Sequence, residues 1–224
     1  VVTAASSPIG RATAARLARR GHLVLIGTRR TDVCERLATR LQARGPAVFA
    51  AYLDLADTRS IDRFVRSAGY LVGAVDVLVT DVGLSSTEVH TFGAQHLAAQ
   101  LIPPMIKRGR GDVVLIGPEL VGTVPPFRAA SRVLDAWVSG LDAEFVGTGV
   151  RASVVRSGEI CSHVAPTDVG CLIAAIIDSH QRMHLRVVPP VPAPRPTNEI
   201  EEHHAGRSPP DQVQRAWHLR IDRR

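Results

Sequence analysis

Lysine is almost missing from this chain. Of 27 Lys and Arg side chains among 224 residues, only Lys107 is a lysine, and Tyr52 and Tyr70 are the only tyrosines. Neither tyrosine has a lysine four residues on, so no phenol and ammonium share a helical face. Cysteine is scarce too. Cys34, Cys161 and Cys171 are odd in number, widely spaced and without a CxxC, which argues against a disulfide framework or a thiolate metal site. No metal is expected. No run of about 18 apolar residues is present, which excludes a helical membrane span. No basic-apolar leader is present either, so a cytoplasmic protein is expected. The chain opens inside a strand, so residues upstream of Val1 are expected. Aromatic residues make up 4%, and the net charge of +6 comes from scattered basic residues. Without a binding motif or interleaved aromatics, that charge excludes a nucleic-acid partner, while a small anionic ligand stays compatible with it.

What is there is a regular alternation of short apolar runs and amphipathic ones. Strands are predicted at 1–3, 22–28, 47–53, 75–80, 113–116, 150–155 and 184–188. Helices are predicted at 8–20, 31–44, from 58, and at 87–108, 127–145 and 167–179. Asp57 is placed to cap the third helix, and Pro103-Pro104 are expected to kink the fourth. Near-continuous apolar strands alternating with helices imply an α/β fold: a Rossmann-like, doubly wound parallel sheet of about seven strands, with helices on both faces. From Pro189 the composition turns proline-rich. Residues 1–188 therefore read as the Rossmann-like domain, and 189–224 as a linker and tail with a short helix at 211–223.

The chain is organised around its opening turn, Thr3-Ala4-Ala5-Ser6-Ser7-Pro8-Ile9-Gly10. A strand, a turn of small residues and a helix N-terminus form an anion site, because the free N–H groups of the first helical turn point at the ligand. A dinucleotide-binding loop has three glycines, whereas only Gly10 is present here. Ala4 adds a methyl group, and Pro8 removes an N–H while adding ring bulk.

This loop, the strand VDVLVTDVG, the phrase PPMIKRGRGDVVLIG and the later PTDVG together resemble the short-chain dehydrogenase/reductase family over residues 1–188. The resemblance implies NAD(P)(H) binding at Thr3, Ser6, Ser7, Ile9 and Gly10, at Asp54 and Leu55, and at Gly83. Arg29 and Arg30 stand where NAD-binding relatives carry an acidic residue, so NADP is favoured over NAD. In that family an Asn, a Ser and a Tyr-x-x-x-Lys pair carry out proton transfer. Matched motif by motif, these positions are His90, Pro118, Arg128 and Arg132. A guanidinium stays protonated at any working pH, so Arg128 cannot exchange a proton as a phenol does.

Three functions are therefore expected. The first is a non-redox enzyme (a cyclase, isomerase or dehydratase) or a ligand-binding pseudoenzyme acting on a small organic molecule, with no cofactor or a weakly bound NADP(H). The second is an NADP-dependent oxidoreductase with an atypical proton donor. The third is a non-catalytic partner subunit. The candidate catalytic set is His90 as acid/base oriented by Asp81, Arg128 and Arg132 as an anion clamp, and Glu119 beside them. In the family the two long helices build dimers and tetramers. A homodimer or homotetramer is thus implied through Phe92, Leu97 and Leu101 on one helix and Val133, Trp137 and Leu141 on the other.

Overall fold

A computed structural model describes residues 1–3, 5, 7–42, 48–82, 88–118, 125–157, 165–179, 184–187 and 219–221. Within these, 88–90, 118, 125–130, 157, 184–187 and 219–221 are described as backbone. The element order is β1 (Val2–Thr3), α1 (Pro8–Arg19), β2 (Val24–Thr28), α2 (Thr31–Gln42), β3 (Val48–Tyr52), α3 (Thr58–Leu71) and β4 (Val77–Asp81). It continues with α4 (Glu88–Arg108), β5 (Gly111–Pro118), α5 (Pro125–Glu144), β6 (Val150–Ser157), α6 (Pro166–Ser179), β7 (His184–Val187) and β8 (Leu219–Ile221).

The strands form one sheet in the order β3-β2-β1-β4-β5-β6-β7-β8. The first seven run parallel, with Val2 opposite Ile26 on one side and Val79 on the other. The order of connection reverses between β1 and β4, and in such sheets ligands bind beyond the carboxyl ends of the strands at that crevice. The predicted doubly wound fold is present.

Side-chain alternation builds two cores. Leu25, Leu78, Val113 and Leu115 face α3, α4 and α5, where Phe64, Leu97, Met105, Leu134 and Phe145 pack. Their neighbours Ile26, Val79, Val114 and Ile116 face α1, α2 and α6, against Leu17, Cys34, Ala38 and Ile173. The helix caps are those the sequence predicts. The Asp57 carboxylate accepts the Arg59 N–H at 2.9 Å, and α1 begins with Pro8 behind the Ser7 cap.

Helix α4 runs to Arg108 as expected, with Pro103 and Pro104 inside it and Leu101, Ile102 and Met105 buried around them. One detail differs from expectation. Residues 219–221 form a strand antiparallel to β7 and not part of a helix. Trp217, Leu219 and Ile221 recur at every second position, which is a strand period; the edge of β7 supplies the ladder partner that local pattern alone does not reveal.

Candidate functional site

The carboxyl ends of β1 and β4 are laced together by hydroxyl groups. The buried Thr3 and Thr80 hydroxyls hydrogen-bond at 3.0 Å, and Thr3 Oγ1 also accepts the Asp81 N–H at 3.3 Å. These bonds fix the end of β4 against β1, next to where α1 starts. There the Ser7 hydroxyl accepts the Gly10 N–H at 3.0 Å, while the Ser7 carbonyl takes the Arg11 N–H at 3.1 Å. Pro8 has no N–H, so the cap and the first ladder bond leave the Ile9 N–H in the opening turn, and no described residue accepts from it. The result is a helix N-terminus with a reduced set of donors, aimed at the carboxyl edge of the sheet.

Beyond β2 the chain turns on Thr28, whose buried hydroxyl accepts the Arg30 N–H at 3.1 Å. This turn presents Arg29 and Arg30 as exposed guanidiniums. Cys34 is buried behind the same turn. Burial pushes its thiol up, against the lowering effects of the Thr28 hydroxyl and Arg11, which disfavours the reactive thiolate.

After β3, Asp54 folds into an Asx turn, its carboxylate accepting the Ala56 N–H at 2.9 Å while its own N–H donates to the Ser60 hydroxyl at 3.0 Å. Leu55 packs partly into the α4-side core, and its backbone lies directly under Gly93. Thr3, Ser7, Ile9, Gly10, Arg29, Arg30, Asp54 and Leu55 are thereby all at or beside the carboxyl edge. Ser6 and Gly83 lie outside the described residues.

The catalytic candidates divide. Asp81 closes β4 and is half-buried, and His90 is in the first turn of α4, where only its backbone is described. Arg128 and Arg132 both fall in α5, one turn apart; Arg132 is exposed, and Arg128 is described as backbone. Glu119 lies outside the described residues, and Pro118 ends β5. Among the described residues no cluster of His, Cys, Asp or Glu could hold a metal ion. No helix among them is long and apolar enough to cross a membrane.

Sequence reasoning missed one constellation. Arg156, at the carboxyl end of β6, donates to the fully buried Ser131 hydroxyl at 3.0 Å and also bonds the Asp135 carboxylate. Ser131 and Asp135 are one turn apart on α5, so this guanidinium pins the helix that carries Arg128 and Arg132 to the sheet. The Arg, Ser and Asp types are common singly, and only the fold brings them together across 21 to 25 residues.

Comparison with known proteins identifies the setting of this edge. A model described as short chain dehydrogenase matches residues 1–168. Glycine betaine reductase ATRR of Emericella nidulans is 32% identical over 177 residues, which are 70% of this chain and 14% of that protein. The 1-deoxy-11-beta-hydroxypentalenate dehydrogenase of Streptomyces exfoliatus is 31% identical over 182 residues, 71% of this chain and 66% of the enzyme. The matched region thus spans only part of these relatives, a small part in the first case. Among solved structures, a metagenomic short-chain oxidoreductase in complex with NADP superposes with a TM-score of 0.71 at 22% identity, covering 85% of this chain and 96% of that one.

These findings overturn the expectation of a cyclase, isomerase, dehydratase or pseudoenzyme, because the relatives are a reductase and a dehydrogenase. The expectation of no cofactor, or a weakly bound NADP(H), falls with it. The proton route and the hydride route are separate. Tyr and Lys move a proton in that family, whereas the hydride belongs to the nicotinamide. Proline is favourable at the first helical position, and Ser7 caps the turn.

Proposed function

The chain belongs to the short chain dehydrogenase family, and from that premise we propose that it is an NADP(H)-dependent oxidoreductase acting on a small carbonyl compound or alcohol. The observation that carries this reading is the Ser7-capped start of α1 at the carboxyl end of β1, with Arg29 and Arg30 exposed beyond β2. The donor set fits the cofactor: the Ile9 N–H and the helix dipole suit a pyrophosphate, and two guanidiniums suit a 2′-phosphate. When bound, the nicotinamide supplies or accepts the hydride.

The remaining work falls to side chains of this chain. A carbonyl oxygen gaining negative charge needs a proton, and His90 is the neutral-range acid on the helix that starts beyond β4. Asp81 is the carboxylate at the end of β4 that orients it in this reading. Arg128 and Arg132 stabilise the developing oxyanion as fixed charges and take no part in the proton transfer. Self-association through α4 and α5, in a cytoplasmic setting, belongs to the same proposal. Of the residues expected at the contact, Leu97, Leu101 and Leu141 are buried in the core and Trp137 packs against it, while Phe92 and Val133 are 67% and 47% exposed and offer apolar surface to a second copy.

The test is a fluorescence titration with NADPH and NADH, followed by NADPH consumption with a panel of ketones and aldehydes. Saturable NADPH binding with turnover of at least one carbonyl is expected. His90→Asn should lower turnover by about 10²- to 10⁴-fold without changing NADPH affinity. Failure to bind either nucleotide would refute the oxidoreductase reading.

A further inference from the structure

Three arginines stand side by side at one level of the sheet. The register pairs Arg156 of β6 with Arg186 of β7, and Arg186 with Arg220 of β8. Residues paired across adjacent strands share a face of the sheet, and neighbouring strands are about 4.8 Å apart, so the three backbone positions span roughly 10 Å. Arg156 and Arg186 are each one residue from the carboxyl end of their strand. The row therefore lies at the same edge as Thr3, Asp81 and the Arg30 turn.

Like charges directly opposite one another are unfavourable in a sheet. Asp135 balances Arg156, which also bonds Ser131, while Arg186 and Arg220 add two further positive charges to the row. The three arginines fall in register on three consecutive strands. They do so at the edge where a doubly wound sheet takes its ligands.

We propose that the row Arg156–Arg186–Arg220 is an oxyanion subsite that takes the carboxylate or phosphate group of the substrate. The substrate part of this statement rests on the oxidoreductase reading above; the anion site does not. Guanidinium groups match both oxyanions in planar, bidentate fashion, and Arg156 is held in place by Ser131 and Asp135, which orients one end of the row.

The test uses the full chain, with inorganic phosphate and acetate as separate probes at constant ionic strength. Binding is followed by calorimetry and by the rise in unfolding temperature. Wild type should bind at least one probe saturably, and the tighter of the two identifies the substrate's charged group. Arg186→Gln and Arg220→Gln should each weaken that binding about tenfold, the loss expected for a charge-assisted hydrogen bond. The charge-keeping variants Arg186→Lys and Arg220→Lys should recover part of it. NADPH affinity should not change in any of the four.

Probe binding that is equal in wild type and the Gln variants would overturn the proposal. So would the absence of saturable binding of either probe to wild type, which needs no variant to fold. Row-dependent anion binding in a protein that binds no nucleotide would support the subsite and count against the oxidoreductase reading. NADPH binding with anion binding indifferent to the row would refute the subsite alone.

Discussion

Gly93 of α4 lies directly over the backbone of Leu55: a Cβ at Gly93 would stand 1.8 Å from the Leu55 carbonyl oxygen and 2.6 Å from its carbon. Backbone cannot swing aside as a flexible side chain can, so the helix must move or the residue must stay glycine. Replacing a helical glycine by alanine gains about 1 kcal/mol of propensity. Overpacking a tight contact costs about 1–3 kcal/mol and sometimes more. The second effect wins here. Gly93→Ala should lower unfolding stability in denaturant titration and, by shifting α4 against the Asp54-Leu55 turn, weaken NADPH binding. Gly140 of α5 has no atom within 4 Å of its virtual Cβ, so Gly140→Ala should raise stability by up to about 1 kcal/mol.

Arg29 and Arg30 are exposed and held out by the Thr28 turn, so their charges are available to a phosphate without a folding penalty. Losing one charge-assisted bond costs about 1.5–3 kcal/mol, or roughly 10- to 100-fold in affinity. Arg29→Gln and Arg30→Gln should weaken NADPH binding by that order while leaving NADH nearly unaffected. Equal loss for both nucleotides in a paired titration would show that neither arginine reads the 2′-phosphate.

The alternation of strands and helices was legible because central strands such as β2 and β5 are apolar runs that feed both cores, and helices such as α3 carry one apolar stripe. The Ser7 and Asp57 caps were legible for the same reason, being local. What escaped reading is long-range. The Thr3–Thr80 bond joins residues 77 apart, the Arg156–Ser131 bond residues 25 apart, and Gly93 needs Leu55 before its missing side chain has meaning. Strand β8 was misread because Leu219 and Ile221 follow too few residues to separate a period of two from a helical stripe. The candidate site was half legible. Motif position placed Thr3, Ser7, Ile9, Gly10, Arg29, Arg30, Asp54 and Leu55 at one edge of the sheet, whereas the absence of a Tyr-Lys pair does not decide the reaction class.

Ser7 has two jobs that one substitution can separate. Its hydroxyl satisfies the Gly10 N–H, so Ser7→Ala should cost about 0.5–2 kcal/mol in unfolding free energy. Ser7→Asp keeps an accepting cap oxygen and adds a negative charge favourable to the helix dipole, so stability should be retained. The same charge repels a pyrophosphate at the turn, so NADPH affinity should fall in Ser7→Asp more than in Ser7→Ala. The reverse order of affinities would place the pyrophosphate elsewhere.

Asp62 of α3 joins its helix to α4. Its Oδ1 accepts the Gln100 Nε2–H at 2.8 Å and lies 3.4 Å from His96 Nε2. The Gln100 hydrogen bond holds the Asp62 carboxyl below the ordinary carboxylate range, against desolvation, and His96 adds to the lowering. A group whose folded pKa is depressed contributes stability that is present above its unfolded value, about 3.9, and is lost as pH falls through the folded value. Asp62→Asn removes that contribution. Urea midpoints of wild type and Asp62→Asn should therefore be separated by a constant gap above about pH 5, and the gap should close progressively below about pH 4. A gap that persists to the acid limit would assign the effect to packing, and no gap at any pH would show that the tether between α3 and α4 contributes nothing.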